Sequence, residues 1–247
     1  MAVDAALIEQ ASMQSGILVR CYRMDPPAVT IGRHQKWAQV VDEGRCNEHR
    51  WEWTRRPTGG GALLHKDEIN YAVTAARGQL APLGPGEFRA IFRRLAESLA
   101  DIMRELGATP DINLGEHPLA ARQHGLCGRS LTGYEISVGA RKLVAAAQLV
   151  TPQGVLQHGT IYLRAPSSND NFWPLVEGAE SQKADQRWAS LGDETRSQGW
   201  LSLASKIETA LALHLRATAV RELWPEIQSR ASTIFSDWDA HDFRRCR

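Results

Sequence analysis

The sequence predicts a single α+β domain built on a mixed α/β sheet, and three observations carry that reading. Short runs with strand period fill the first two-thirds of the 247 residues. The main helical stripes come at 86–106 and after residue 200. No internal repeat or low-complexity linker divides the chain, so one domain over 1–247 is expected. Its strand-rich core covers about 15–165 and its C-terminal helices about 200–232.

In chain order, the opening stretch reads as an amphipathic helix that turns Val3, Leu7 and Ile8 toward a core. Residues 17–22 and 28–32 read as strands on either side of the turn at Pro26-Pro27. Trp51 to Arg56 alternates with strand period, three glycines follow, and Ala62-Leu63-Leu64 resumes as strand. Residues 69–74 form another strand. The stripe Phe88, Ile91, Phe92, Leu95, Leu99, Ile102, Met103 and Leu106 then predicts a helix capped at Gly107. Residues 134–138 and 142–150 form a hairpin about Gly139-Ala140, and 155–163 follows as a third strand after Pro152-Gln153-Gly154. A polar loop at 165–171 and a charged stretch near 178–198 lead to helical patterns at 200–216 and 220–232.

Composition narrows the function classes. Lys and Arg number 29 against 28 acidic residues, well mixed along the chain, so no global field recruits nucleic acid or an anionic membrane. No apolar window reaches the ~18 residues of a membrane span, and the start of the chain lacks the basic region of a signal peptide. Cys21, Cys46, Cys127 and Cys246 are widely spaced without a CxxC pair. That spacing argues against a zinc site or disulfide framework and fits a reduced cytoplasm. The eight histidines show no HExxH spacing, so no structural metal is expected.

Arg55-Arg56-Pro57-Thr58-Gly59-Gly60-Gly61-Ala62-Leu63-Leu64-His65 stands out. Three glycines suit a loop whose N–H groups line a pocket, with the arginines supplying positive charge, although a flexible surface turn fits them equally. Three further features accompany it. They are Ile31-Gly32-Arg33-His34-Gln35, Lys142 ahead of Ala145-Ala146-Ala147, and Gln157-His158-Gly159-Thr160. The alanines keep a strand face low enough for a ligand to lie across it. Taken singly, Lys142 reads as a solvated residue after a turn, and His65 and His158 as satisfied core groups. Cys127 reads as a small buried hydrophobe.

Together these segments resemble the biotin/lipoate protein ligase and octanoyltransferase family over about Asp4 to Leu163, with Arg-Arg-Pro-Thr-Gly-Gly-Gly-Ala the most specific part. The resemblance implies a biotin ligase-like catalytic domain of the class II aminoacyl-tRNA synthetase fold. It also implies that the glycine loop and the lysine at Lys142 border a tunnel for a medium-length acyl chain. Ala145 departs from the family pattern by adding a methyl where glycine is familiar. Cys127, seven residues before Tyr134-Glu135, matches the nucleophile position of LipM-type octanoyltransferases, and His65-Lys66-Asp67-Glu68-Ile69-Asn70-Tyr71 also looks like that branch. The segment after Cys127 departs from it, with Gly128 to Gly133 replacing a proline-containing stretch.

What this resemblance implies is a transferase with Cys127 and Lys142 as catalytic residues. Arg56, Thr58, Gly59, Gly60, Gly61, His65, Ala145, His158 and Gly159 would line the substrate site. The donor would be octanoyl-acyl carrier protein, and the acceptor a lysine of a lipoyl domain or the glycine cleavage H protein. No cofactor is required. A lipoate–protein ligase using ATP and Mg is the alternative, and a relay amidotransferase between carrier proteins another. A non-catalytic binder of acylated domains is the third.

Overall fold

The computed structural model describes residues 1–13, 16–113, 135–167, 169–176, 187–220 and 222–240. Its elements in order are α1 (Ala2–Glu9), β1 (Leu18–Tyr22), β2 (Ala28–Ile31), α2 (Glu43–Glu48), β3 (Glu52–Arg55), β4 (Leu63–His65), β5 (Glu68–Ala76) and α3 (Glu87–Glu105). There follow β6 (Asp111–Ile112), β7 (Ile136–Val138), β8 (Arg141–Val150), β9 (Gly154–Tyr162), α4 (Asp193–Arg196), α5 (Trp200–Leu215), β10 (Thr218–Ala219) and α6 (Pro225–Ala240). The mixed α+β architecture is the one the sequence predicts.

Two sheets form. The larger runs β10-β1-β5-β9-β8-β7-β6 and the smaller β3-β2-β4. Most neighbours are antiparallel, while β1–β10 and β2–β3 are parallel. The hairpin read at Gly139-Ala140 joins β7 to β8, and both turn residues have positive φ (53° and 63°). That is the backbone whose twist matches a two-residue hairpin.

The stripe of α3 packs Ile91, Leu95, Leu99, Ile102 and Met103 onto the large sheet beside Leu203, Ile207, Leu211 and Leu215 of α5. Burying each such side chain is worth about 1.5–3 kcal/mol. Phe88 departs from the expected stripe: it lies in the first turn and is 43% exposed. The stripe proper begins one turn later, at Ile91. Gly107 closes the helix as expected, with φ +85°.

The opposite face of the large sheet meets a second core, rich in tryptophan. Trp37 and Trp53 stack with ring centroids 3.7 Å apart, and Trp51, Phe172, Trp173 and Trp188 pack around the small sheet. Differences from the sequence reading lie mainly at short elements. The helices α2 and α4 and the two-residue strands β6 and β10 are too brief for a periodic signal. The last helix starts at Pro225, where a missing N–H costs nothing, rather than at 220. It packs against α1 through Ile227, Ala231 and Ile234.

Candidate functional site

Between the two sheets lies a narrow cleft. Its polypeptide lining includes Tyr22, Arg56, Gly59, Gly60, Leu63, His65, Asn70, Ala145, Ala146, Ala147, His158, Gly159 and Thr160. Of the substrate-site residues read from the sequence, Arg56, Gly59, Gly60, His65, Ala145, His158 and Gly159 meet here. Thr58 and Gly61 sit directly behind that lining. Gly60 is exposed and marks the mouth, while most of the other lining residues are buried.

The glycine loop is built around two buried arginines. Arg55 donates through Nη1 to the carbonyls of Gly32, Arg33 and Gln35, at 3.2, 3.2 and 2.7 Å. Arg56 donates through Nη1 to the Thr30 carbonyl and hydroxyl. Through Nη2 it donates to the carbonyls of Gly59 (3.1 Å) and Gly61 (2.7 Å). Both guanidiniums brace loop carbonyls from within, and Arg56 also borders the cleft. The glycines are required by packing: Gly60 has φ +97°, and a Cβ on Gly32 would lie 1.9 Å from the Gly60 carbonyl oxygen.

Both cleft histidines stand in a chain of the same kind. His65 places Nε2 2.8 Å from the Thr30 hydroxyl and Nδ1 3.2 Å from Glu68 Oε1. His158 places Nε2 2.6 Å from the Thr58 hydroxyl and Nδ1 2.9 Å from Asp4 Oδ2. A carboxylate only accepts, so each Nδ1 carries a proton and donates it to the acid, and the His158 ring, held neutral by burial, accepts from Thr58 at Nε2. With both nitrogens engaged, neither ring offers a base to a substrate. They position the loop and strands instead.

Asp4 is fully buried and also accepts from Arg20 and the Tyr22 hydroxyl. Burial alone would raise its pKa, but Arg20 and the His158 hydrogen bond outweigh it and hold the carboxyl well below its usual range. Burial pushes His158 down and keeps it neutral against the opposing pull of Asp4. Asn70 and Thr160 complete the lattice, since Thr160 donates to Asn70 and Asn70 donates to Glu68.

Opposite the loop lie Ala145, Ala146 and Ala147 of β8. Strand alternation turns the methyls of Ala145 and Ala147 to the cleft, beside their partners Thr160 and His158, and that of Ala146 to the α3 side. Ala145 is 1% exposed and packs into the tryptophan core. Further along, Ile136 pairs with Val144 but Ser137 with Lys142, so β8 carries one extra residue. This bulge turns the consecutive Leu143 and Val144 into the α3-side core. Alternation then sets Lys142 on the Ala145 side, the re-aiming that bulges perform. Lys142 is 1% exposed, and its Nζ donates to Glu135 Oε1 at 2.7 Å. The bland reading of a solvated lysine is thereby overturned.

Cys127 lies outside the described residues, as does Cys246. Cys21 and Cys46 are free thiols. Burial raises both, Cys46 to about 11, which fits incidental packing residues. Among the described residues no group of three or more His, Cys, Asp or Glu is arranged to hold a metal, and no helix is long and apolar enough to cross a membrane. Asp4, Glu68, Asn70 and Glu135 are site residues that sequence reasoning missed. Asp4 had a signal in sharing a helix face with Leu7 and Ile8, and Glu68, Asn70 and Glu135 stand in segments that carried the family resemblance.

Comparison with known proteins follows the geometry. A family model described as the lipoyl protein ligase A/B catalytic domain matches residues 1–197. The octanoyltransferase LipM of Moorella thermoacetica is 38% identical over 170 residues, covering 66% of this chain and 60% of that protein. LipM of Kyrpidia tusciae is 36% identical over 169 residues, covering 66% and 61%. The chain thus spans about 60% of the length of these curated relatives. Among solved structures, a lipoate protein ligase candidate from T. acidophilum with bound lipoic acid superimposes with a TM-score of 0.75 at 17% identity, over 99% of this chain and 92% of that one. A lipoate-protein ligase A bound with ATP gives 0.74 at 19%, over 95% and 87%. At such identities the likeness is one of fold.

Proposed function

The chain belongs to the lipoyl protein ligase A/B catalytic-domain family, and from that premise we propose that it is an octanoyltransferase. It moves an octanoyl group from acyl carrier protein to a lysine of a lipoyl-accepting domain, such as a lipoyl domain or the glycine cleavage H protein. One observation supports this most. The histidines, Asn70, Thr160 and the Tyr22 hydroxyl bordering the cleft are engaged by other protein groups, so an entering chain meets glycine backbone, alanine methyls and polar groups already hydrogen-bonded. Such a surface favours an apolar tail, because most of its polar side chains are already paired within the protein and lose little on shedding water.

The reaction divides into two exchanges at one carbonyl. The thiolate of Cys127 attacks the octanoyl thioester, the bond to the carrier's sulfur breaks, and that sulfur takes the proton given up by the Cys127 thiol. The neutral amine of the acceptor lysine then attacks the acyl-enzyme. A C–N bond forms, the bond to Cys127 breaks, and one amine proton returns to the Cys127 sulfur. The product amide is more stable than the thioester, so no nucleotide is consumed. Lys142, held by Glu135, has further N–H donors on its ammonium to polarise the carbonyl.

The test is an intact mass after incubation with octanoyl-acyl carrier protein in the absence of ATP. The expected result is an octanoyl adduct that hydroxylamine removes and that Cys127→Ala abolishes. Absence of the adduct together with ATP-dependent acylation of an acceptor domain would replace this reading with a ligase. Neither adduct nor acceptor modification would leave a binding protein.

A further inference from the structure

The turn after β2 carries Arg33, His34 and Lys36, all exposed, with no ion-pair partner among the described residues. Elsewhere exposed arginines are commonly paired: Arg45 with Asp42, Arg93 with Glu97, Arg104 with Asp101, Arg196 with Asp193 and Arg230 with Glu9. The turn is also held tightly. Arg55 grips three of its carbonyls, Gly32 N–H donates to the Gln35 side chain at 2.9 Å, and Arg33 N–H donates to the Thr58 carbonyl at 2.8 Å. The backbone that carries these cations is therefore held beside the glycine loop, and Gly32 abuts Gly60 at the mouth of the cleft. In a chain of net charge +1, this is a local positive lip on a balanced surface.

We propose that this lip is the docking site for an acidic face on the acceptor protein, around the lysine that receives the acyl group. The proposal rests on the transferase reading and follows from reach. A carrier presents its thioester at the end of a long phosphopantetheine arm, so its body can seat away from the mouth. A lysine amine extends only a four-carbon stem from its backbone, so the acceptor surface itself must sit on the rim. Carboxylates flanking that lysine would meet Arg33 and Lys36 there. Cations carried on a held rim backbone attract such a surface, speed its encounter and set its register.

The experiment compares the wild-type protein with Arg33→Glu/Lys36→Glu in two separate readouts. The first is equilibrium binding of an apo lipoyl domain, titrated at low and at physiological salt without acyl donor. The second is loading with octanoyl from octanoyl-acyl carrier protein, read by intact mass. Acceptor affinity at low salt is expected to fall about ten-fold or more in the variant. The salt dependence of the wild type should flatten, and loading should stay within about two-fold. Equal acceptor affinity in the two proteins overturns the proposal, as does the absence of acceptor binding by either. Slowed loading with unaltered acceptor binding overturns it too, and assigns the lip to the donor. Binding is read without turnover, so a protein that never loads would sink the transferase reading separately.

Discussion

The glycine-loop side of the cleft and its β8 side keep their shape by different means. The loop side is a lattice of buried donors and acceptors in which Arg55, Arg56 and the two Thr–His–carboxylate chains hold backbone in place. The β8 side gives the cleft the methyls of Ala145 and Ala147, and further along the same face it carries the buried Lys142, paired with Glu135. A lattice loses stability with each member removed, because its partners stay buried and unsatisfied. A methyl surface tolerates change energetically, yet it fixes how much room a ligand has.

The largest effect should come from the buried charged pair on the β8 side. Glu135→Ala removes the carboxylate beside the buried Lys142 ammonium and should cost about 3–5 kcal/mol in urea unfolding. Glu135→Leu combined with Lys142→Met should recover most of that stability while leaving no acyl transfer. A double variant as unstable as Glu135→Ala would mean that the pair is structural in itself. On the loop side, Arg56→Ala leaves the carbonyls of Thr30, Gly59 and Gly61 without their donor and should cost about 3 kcal/mol. Arg56→Lys should not restore it, since a point ammonium cannot span the same fork.

Next comes the acid dependence of the Asp4–His158 chain. The folded state holds both groups below their ordinary values, so the unfolded chain binds more protons as pH falls. The His158 contribution is complete above pH 6.5 and is lost as pH drops below that, and the Asp4 contribution is lost only below about 3.8. Thermal melts from pH 8 to 4 should show falling stability. Asp4→Asn should cost about 2 kcal/mol at neutral pH and, by removing the charge that pulls the His158 pKa up, steepen that slope below pH 6.5. An unchanged slope in the variant would remove this chain from the lattice. The smallest stability effect belongs to Ala147→Leu, under about 1 kcal/mol at a half-buried position on the cleft side of β8. Octanoyl loading should nonetheless fall about ten-fold or more while a shorter acyl thioester still loads. Equal loss of both chain lengths would argue against the alanine surface as the measure of length.

Much of this arrangement was legible in the chain. The glycine loop, the alanine run and the His158 strand announced themselves through local composition, and the structure brings seven of the named residues to one cleft. The bulge at Leu143 was not legible, because a single extra residue in an apolar strand leaves the hydrophobic pattern intact. Asp4 was passed over although its helical spacing places it with Leu7 and Ile8. A carboxylate on a buried face reads as a misfit until its partners are known, and His158 lies 154 residues away.

The sequence by itself determined which segments are strand or helix and where the backbone needs glycine, because those depend on neighbours a few residues apart. The tertiary structure decided what each charge does. Arg56 and Arg33 look alike in the chain. One is buried beneath the glycine loop with donors on backbone carbonyls, and the other stands in water without an ion-pair partner among the described residues. Burial and partner choice separate them, and both are set by residues that only the folded sheets bring together.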